Sequence, residues 1–216
     1  MGRKVQKNSL SKRRELEEKN AKKQKNMKMV AIISAIVIGL AGLGAIVYAV
    51  IDSIPKNYTA EIEIEDYGTI KVKLCHDTAP VTVENFVKLA KSGFYDGLTF
   101  HRIIEDFMMQ GGAPKGNTTP ETIVGEFSKN GYDNDLKHTR GVISMARAND
   151  YNSASSQFFI VHKDYPSLDG LYAAFGYVTE GMDVVDKVCT KAKPTDDNGT
   201  IPKEKQPVIK TIRIYE

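Results

Sequence analysis

Tryptophan is absent from the 216 residues, and cysteine occurs only twice, at Cys75 and Cys189. Two cysteines so far apart form no CxxC pair and no Cys/His cluster of zinc-ligand spacing. Whether they come within bonding distance is open at this level, and free, buried thiols are the expectation. Histidine is scarce too, with four copies and no HExxH or other metal-ligand spacing. No phosphate-binding glycine loop and no Gly-x-Ser-x-Gly elbow occur, so the chemistries those motifs carry are set aside.

Acidic residues are few at the start of the chain. Residues 1–28 hold eleven Lys/Arg against Glu15, Glu17 and Glu18, a net charge of +8, while the whole chain carries only +3. The remaining residues are therefore net acidic, and the basic isoelectric point belongs to the tail. It gives no argument for nucleic-acid binding by the globular part. The tail also has too few large apolar residues to bury a core, so 1–28 reads as a disordered basic segment.

Charge is then missing altogether from 29–51, a run of 23 residues rich in Ile, Val, Ala and Gly. As a helix it reaches about 35 Å, against a hydrocarbon core of about 30 Å, which predicts a transmembrane helix. The basic flank before it and Asp52 after it predict a single-pass cell-membrane protein, its N-terminus cytoplasmic and its C-terminal domain extracytoplasmic. A cleavable signal peptide is the rival, since Val47-Tyr48-Ala49 is a passable processing site, but the run exceeds the usual ~7–15 apolar residues. Residues 52–57, with Pro55, read as a short tether ahead of a domain at 58–216.

What is present in that domain is β-prone. Ala60–Glu65 alternates Ile with Glu and Ile70–Leu74 alternates apolar residues with Lys, around Asp66-Tyr67-Gly68; this predicts a hairpin with one buried face, Glu and Lys pairing across strands. Val83, Phe86, Val87 and Ala90 recur at helical spacing inside Pro80–Lys91, with Pro80 in the first turn and Gly93 at the exit. Further strands are predicted at Val142–Ala148, Gln157–His162, Tyr172–Val178 and Val208–Tyr215, and a second helix at Gly181–Thr190. Glu126-Phe127 falls in a polar loop, and Lys191–Gln206 is a polar connection.

Phe100–Gly112, FHRIIEDFMMQGG, gathers an arginine, two aromatics, two methionines and a glutamine. Extended geometry puts Phe100, Arg102 and Ile104 on one side, with Phe107 paired to Met109 and Met108 to Gln110. Arginine stays charged and offers a planar fork of donors suited to carbonyls or to a polarised amide. His101 falls on the opposite face from Arg102; His101, His138 and His162 read as structural or exposed.

FYDGLTFHRII with FMMQGG, followed by GVISMARA and SQFFI, resembles the cyclophilin family of peptidyl-prolyl cis/trans isomerases. The resemblance implies a mainly β fold, a closed antiparallel barrel of about eight strands capped by two α-helices. It implies rotation of X-Pro bonds in exported or cell-surface polypeptides, with no cofactor, metal or covalent intermediate, by a monomeric catalytic domain. Arg102 takes the catalytic role in this resemblance. Phe107, Met108, Phe159 and Leu168 match the proline-ring pocket, Gln110, Ala146 and Arg147 match backbone contacts, and Gln157 matches a groove-lining position.

Arg147 replaces an asparagine common in eukaryotic members, Tyr172 a histidine, and Ser167 the tryptophan associated with cyclosporin. Weak cyclosporin binding is therefore expected. The alternative function is a low-turnover module that binds proline-containing segments or acts as a membrane-tethered chaperone. A third reading has the basic tail recruiting anionic lipid or cytoplasmic partners.

Overall fold

Alternating Ile and Val residues fix the first hairpin of the domain. The computed structural model describes residues 57–116 and 119–216; the predicted tail, the predicted span and tether residues 52–56 lie outside them. Among the described residues no helix is long and apolar enough to cross a membrane. Asn57, assigned to the tether from sequence, is instead the first residue of β1 (Asn57–Ile64).

β1 pairs antiparallel with β2 (Gly68–Cys75), Ile62 opposite Ile70 and Glu61 opposite Lys71. Ala60, Ile62, Ile64, Ile70, Val72 and Leu74 are all buried. The Glu–Lys pairing expected across this hairpin occurs once, with Lys71 Nζ 4.0 Å from Glu61. Glu63 turns the other way, to Lys210 at 2.7 Å and Arg213 at 3.0 Å.

Helix α1 (Pro80–Lys91) buries Val83, Phe86, Val87 and Ala90 as its spacing predicts. Its N-cap, Ala79, has no side chain able to cap. The orphan N–H groups of Val81 and Thr82 donate instead to the Glu126 carboxylate at 3.0 and 2.7 Å, and Thr82 Oγ1 donates to it at 2.7 Å. Glu126 lies in a loop, as the sequence indicates, but is only 2% exposed: it is a helix cap supplied from a remote part of the chain.

The chain continues through β3 (Phe100–Ile104), β4 (Met108–Gly111), β5 (Val142–Met145), β6 (Phe158–Val161), β7 (Ala174–Glu180), helix α2 (Met182–Lys191) and β8 (Ile209–Tyr215). β5 stops at Met145 rather than Ala148 because side chains close turns just beyond it. Ser153 Oγ accepts from Ala148 N–H, and Asp150 Oδ1 from Asn152 N–H.

All eight strands form one curled sheet in the order β3-β4-β6-β5-β7-β2-β1-β8. Its two edge strands have no continuous ladder between them. They touch at one corner, through a Thr99–Val208 bridge and bonds from Gly97 N–H to Ile209 O and from Phe100 N–H to Pro207 O.

Strand residues alternate between two apolar clusters. Ile103, Met109, Phe158 and Phe175 join the main core, where Phe86 of α1 meets Tyr95, Phe158 and Phe175 at ring separations of 5.3–5.4 Å. Ile104, Met108 and Phe159 join a second, smaller cluster. Adjacent apolar pairs such as Ile103-Ile104 and Met108-Met109 thus serve opposite faces of one sheet. Both cysteines are free; Cys189 is buried, whereas Cys75 is only half-buried. Burial pushes the Cys189 thiol up to about 12.

Candidate active site

Directly opposed residues of an antiparallel ladder share a face. The registers set Arg102 opposite Gln110, Gln110 opposite Phe159, Phe159 opposite Ser144 and Ser144 opposite Ala174. This row crosses β3, β4, β6, β5 and β7 and forms the floor of the second cluster. Met108 adds to it from β4, Ala146 and Arg147 from the segment leaving β5, and Tyr172 from just ahead of β7. Leu168 comes from a 3-10 turn at Pro166–Leu168.

Arg102, Phe107, Met108, Gln110, Ala146, Arg147, Phe159, Leu168 and Tyr172 together line one hollow of about 470 Å³, its open mouth included. Gln157, the remaining residue singled out from sequence, is not part of the lining. Its Oε1 accepts from Gln110 Nε2 at 3.0 Å and its carbonyl accepts from Ala146 N–H at 2.8 Å, so it holds two residues that are.

Two alternation expectations fail here. Phe100 and Arg102 do not share a face, because the register slips at His101, which opposes nothing on β4. This is a β-bulge, and it sends Phe100 to the main core while Arg102 lines the hollow. Phe107 does not pair with Met109 either. Asp106 adopts φ +61° and Phe107 N–H bonds back to Ile104 O, so Phe107 sits in a turn and its ring joins Met108 in the hollow. His101 is outside the lining, and its Nδ1 is buried without a hydrogen-bond partner.

Arg102 is held from behind. Its Nε donates to Asn198 O at 2.7 Å, its Nη1 lies 3.5 Å from Gln110 Oε1, and its guanidinium carbon is 5.8 Å from the centre of the Phe107 ring. Asn198 belongs to the connection read from sequence only as polar. That loop is closed by Asp196, whose carboxylate accepts from Thr200 N–H at 2.9 Å, and it is fastened to β3 by a bond from Ile103 N–H to Gly199 O at 2.8 Å. The Thr200 bond holds the Asp196 carboxyl below its usual range. The turn-prone Asp-Asp-Asn-Gly run signals a loop but names no partner, which is why the sequence hides this role.

Arg147 is anchored as firmly. Nε donates to Leu171 O at 3.0 Å and Nη1 to Ala148 O at 2.8 Å, while the guanidinium lies 5.2, 4.9 and 4.7 Å from the rings of Phe127, Tyr151 and Tyr172. Neither Phe127 nor Tyr151 stands out in the sequence. Tyr165 does not stand out either; its ring lies 4.2 Å from that of Phe107, which lines the hollow.

Behind Phe159, Ser144 Oγ bonds to His138 Nε2 and His138 Nδ1 to Asp169 Oδ1, both at 3.0 Å. Nucleophilic hydrolases use the same order of groups, but Ser144 and His138 are 0% and 1% exposed, so no substrate carbonyl reaches the hydroxyl. The histidine ring stacks on Phe159 at 6.0 Å and supports the floor instead.

A model of the family described as cyclophilin type peptidyl-prolyl cis-trans isomerase/CLD matches residues 59–215. Peptidyl-prolyl cis-trans isomerase B of Bacillus subtilis is 46% identical over 123 residues, 56% of this chain and 82% of that one. Peptidyl-prolyl cis-trans isomerase-like 1 of Rhizopus delemar is 47% identical over 123 residues, 56% of this chain and 74% of that one. A crystal structure of a Cryptosporidium parvum cyclophilin type isomerase, solved in the presence of the dipeptide Ala-Pro, superposes with a TM-score of 0.63 at 29% identity. It covers 73% of this chain and 99% of its own. With the family matched from the first strand to the last, the chain belongs to the cyclophilin-type peptidyl-prolyl cis-trans isomerases.

Proposed function

We propose that the hollow receives the proline ring of an X-Pro segment and that Arg102 stabilises the twisted amide. The X-Pro bond resists rotation by about 18–20 kcal/mol because nitrogen shares its lone pair with the carbonyl. At the crest of that barrier the nitrogen is pyramidal and basic. A fixed donor that meets it, or grips the neighbouring carbonyl, lowers the barrier by binding the twisted form better than the planar one, with no cofactor or covalent step.

One observation carries this reading: the Arg102 guanidinium is pinned by the Asn198 carbonyl at the rim of a hollow with Phe107, Met108, Phe159 and Leu168 in its lining, and meets no carboxylate among the described residues. Its remaining donors are available to substrate. Phe107, Met108, Phe159 and Leu168 supply the apolar walls, and Gln110, Ala146 and Arg147 the polar contacts to the peptide backbone. The relative solved with Ala-Pro supports a proline-containing polypeptide as substrate. Ser167, exposed on the turn beside Leu168, offers only a hydroxyl, and we infer weak cyclosporin binding from it.

The test is isomerisation of an X-Pro peptide by the parent chain and by Arg102→Ala. A loss of about 10²–10³-fold in kcat/KM is expected, the range for removing one preorganised donor. Equal turnover in the two, or peptide binding by the parent without turnover, overturns the catalytic assignment.

From the uncharged run at 29–51 and its basic flank we also infer a single-pass anchor, with the isomerase domain outside the cytoplasmic membrane acting on exported or cell-surface chains. Protease added to intact cells is expected to remove the domain; a domain protected until lysis contradicts this orientation.

A further inference from the structure

The described residues contain four arginines, and they divide by position. Arg140 and Arg213, away from the hollow, each meet a carboxylate: Asp186 at 2.8 Å and Glu63 at 3.0 Å. Arg102 and Arg147, which line the hollow, meet none among the described residues. Arg102 is surrounded by a carbonyl, an amide oxygen and a thioether, and Arg147 by carbonyls and three aromatic rings. All of these partners are neutral, so two full positive charges face one small cavity without internal compensation.

Arg147 is also preorganised. Three carbonyls hold its Nε and Nη1, and the rings of Phe127, Tyr151 and Tyr172 hold its guanidinium at 4.7–5.2 Å. Its Nη2 makes no hydrogen bond to the described residues. A cation already fixed by stacking loses little further freedom when it binds an anion.

We propose that Arg147 makes the hollow selective for X-Pro segments that carry a carboxylate on the residue next to the proline. The proposal rests on the isomerase reading and adds a substrate class to it. An Asp or Glu side chain beside the proline meets the free end of the Arg147 fork. A Lys side chain at the same place is repelled by two cations, and an uncharged one meets neither effect.

The test measures kcat/KM of the full-length chain on peptides that differ only in the residue immediately before or immediately after proline, with Glu, Gln and Lys compared at each place. A preference of roughly three- to tenfold for Glu over Gln is expected on at least one side, with Lys below Gln. Raising ionic strength shrinks the ratio, because the attraction is screened. Arg147→Gln brings the Glu/Gln ratio to about one, and Arg147→Glu reverses the order of Glu and Lys. Each ratio is taken within one protein, so a variant with less folded material leaves it unchanged, and the salt series needs no variant. Turnover with a Glu/Gln ratio near one on both sides, or a ratio that survives Arg147→Gln, overturns this proposal alone. A chain that turns over none of the peptides overturns the isomerase reading and this proposal with it.

Discussion

At the residue scale the most consequential titrating group lies behind the hollow. Burial lowers the pKa of His138, and the Asp169 carboxylate only partly offsets it. In the unfolded chain a histidine titrates near 6.5, so between that value and its own lower pKa the folded form binds fewer protons than the unfolded one. The contribution of His138 is therefore complete above about pH 6.5 and is lost as pH falls through the window below it. His101, also lowered by burial, acts in the same direction. We expect the unfolding midpoint to drop as pH falls from neutral to about 5, and His138→Gln to flatten that drop without abolishing it. Thermal unfolding followed across this range checks it; identical profiles for parent and variant would assign the dependence to other groups. From sequence His138 could be read as structural, but its partners could not, since Ser144 and Asp169 meet it only once β5 and the turn at 166–168 have packed.

At the element scale two loops do work that composition conceals. Gly199 adopts φ +83°, and a Cβ there would lie 2.7 Å from Ile103 O and against Ile104 Cγ1. Gly199→Ala is expected to cost about 1–2 kcal/mol in left-handed strain, to push the loop off β3, and to weaken the Asn198 hold on Arg102. Gly131 makes the control, with φ +85° and nothing within 4 Å of the added Cβ. Stability should fall in both variants, while kcat/KM falls only in Gly199→Ala; equal losses of turnover would show that the loop does not position Arg102. Glu126 is the second case. Glu126→Gln leaves one of the α1 donors facing an amide N–H₂, and about 2 kcal/mol of stability is expected to go, or about 4–8 °C in the unfolding midpoint. Calorimetry of the variant reads this directly, and an unchanged midpoint would remove Glu126 from the account of how α1 begins. The elements themselves were legible because period and punctuation mark them: Pro80, Gly93 and the i, i+4 spacing for α1, Ile/Glu alternation for β1. The bulge at His101 and the remote cap on α1 were not, since both depend on which segments become neighbours.

At the scale of the whole molecule, one sheet carries two apolar clusters on opposite faces, and the hollow belongs to the smaller. The doubled apolar pairs Ile103-Ile104, Met108-Met109 and Phe158-Phe159 record this in the sequence, since a strand buried on both faces has no polar side to alternate with. What they do not record is how the sheet ends: β3 and β8 meet at Thr99–Val208 without a ladder, a matter of curl and strand length that no local pattern states. Among the described residues the pairing of the sheet is complete from β1 onward. Asn57 opposes Cys75 and Thr59 opposes Tyr215, so the pairing of β1 with β2 and β8 starts within its first three residues. A chain begun at Asn57 keeps every described strand and α-helix and all ten residues singled out at the site, and loses the basic tail and the uncharged run. It is expected to fold and to match the full-length chain in kcat/KM within about twofold, the scale of changes that remove no contact. It should no longer sediment with membranes. A fall in turnover of tenfold or more would place residues before Asn57 in the working site, and persistent sedimentation would move the membrane attachment from 29–51 to the surface of the domain.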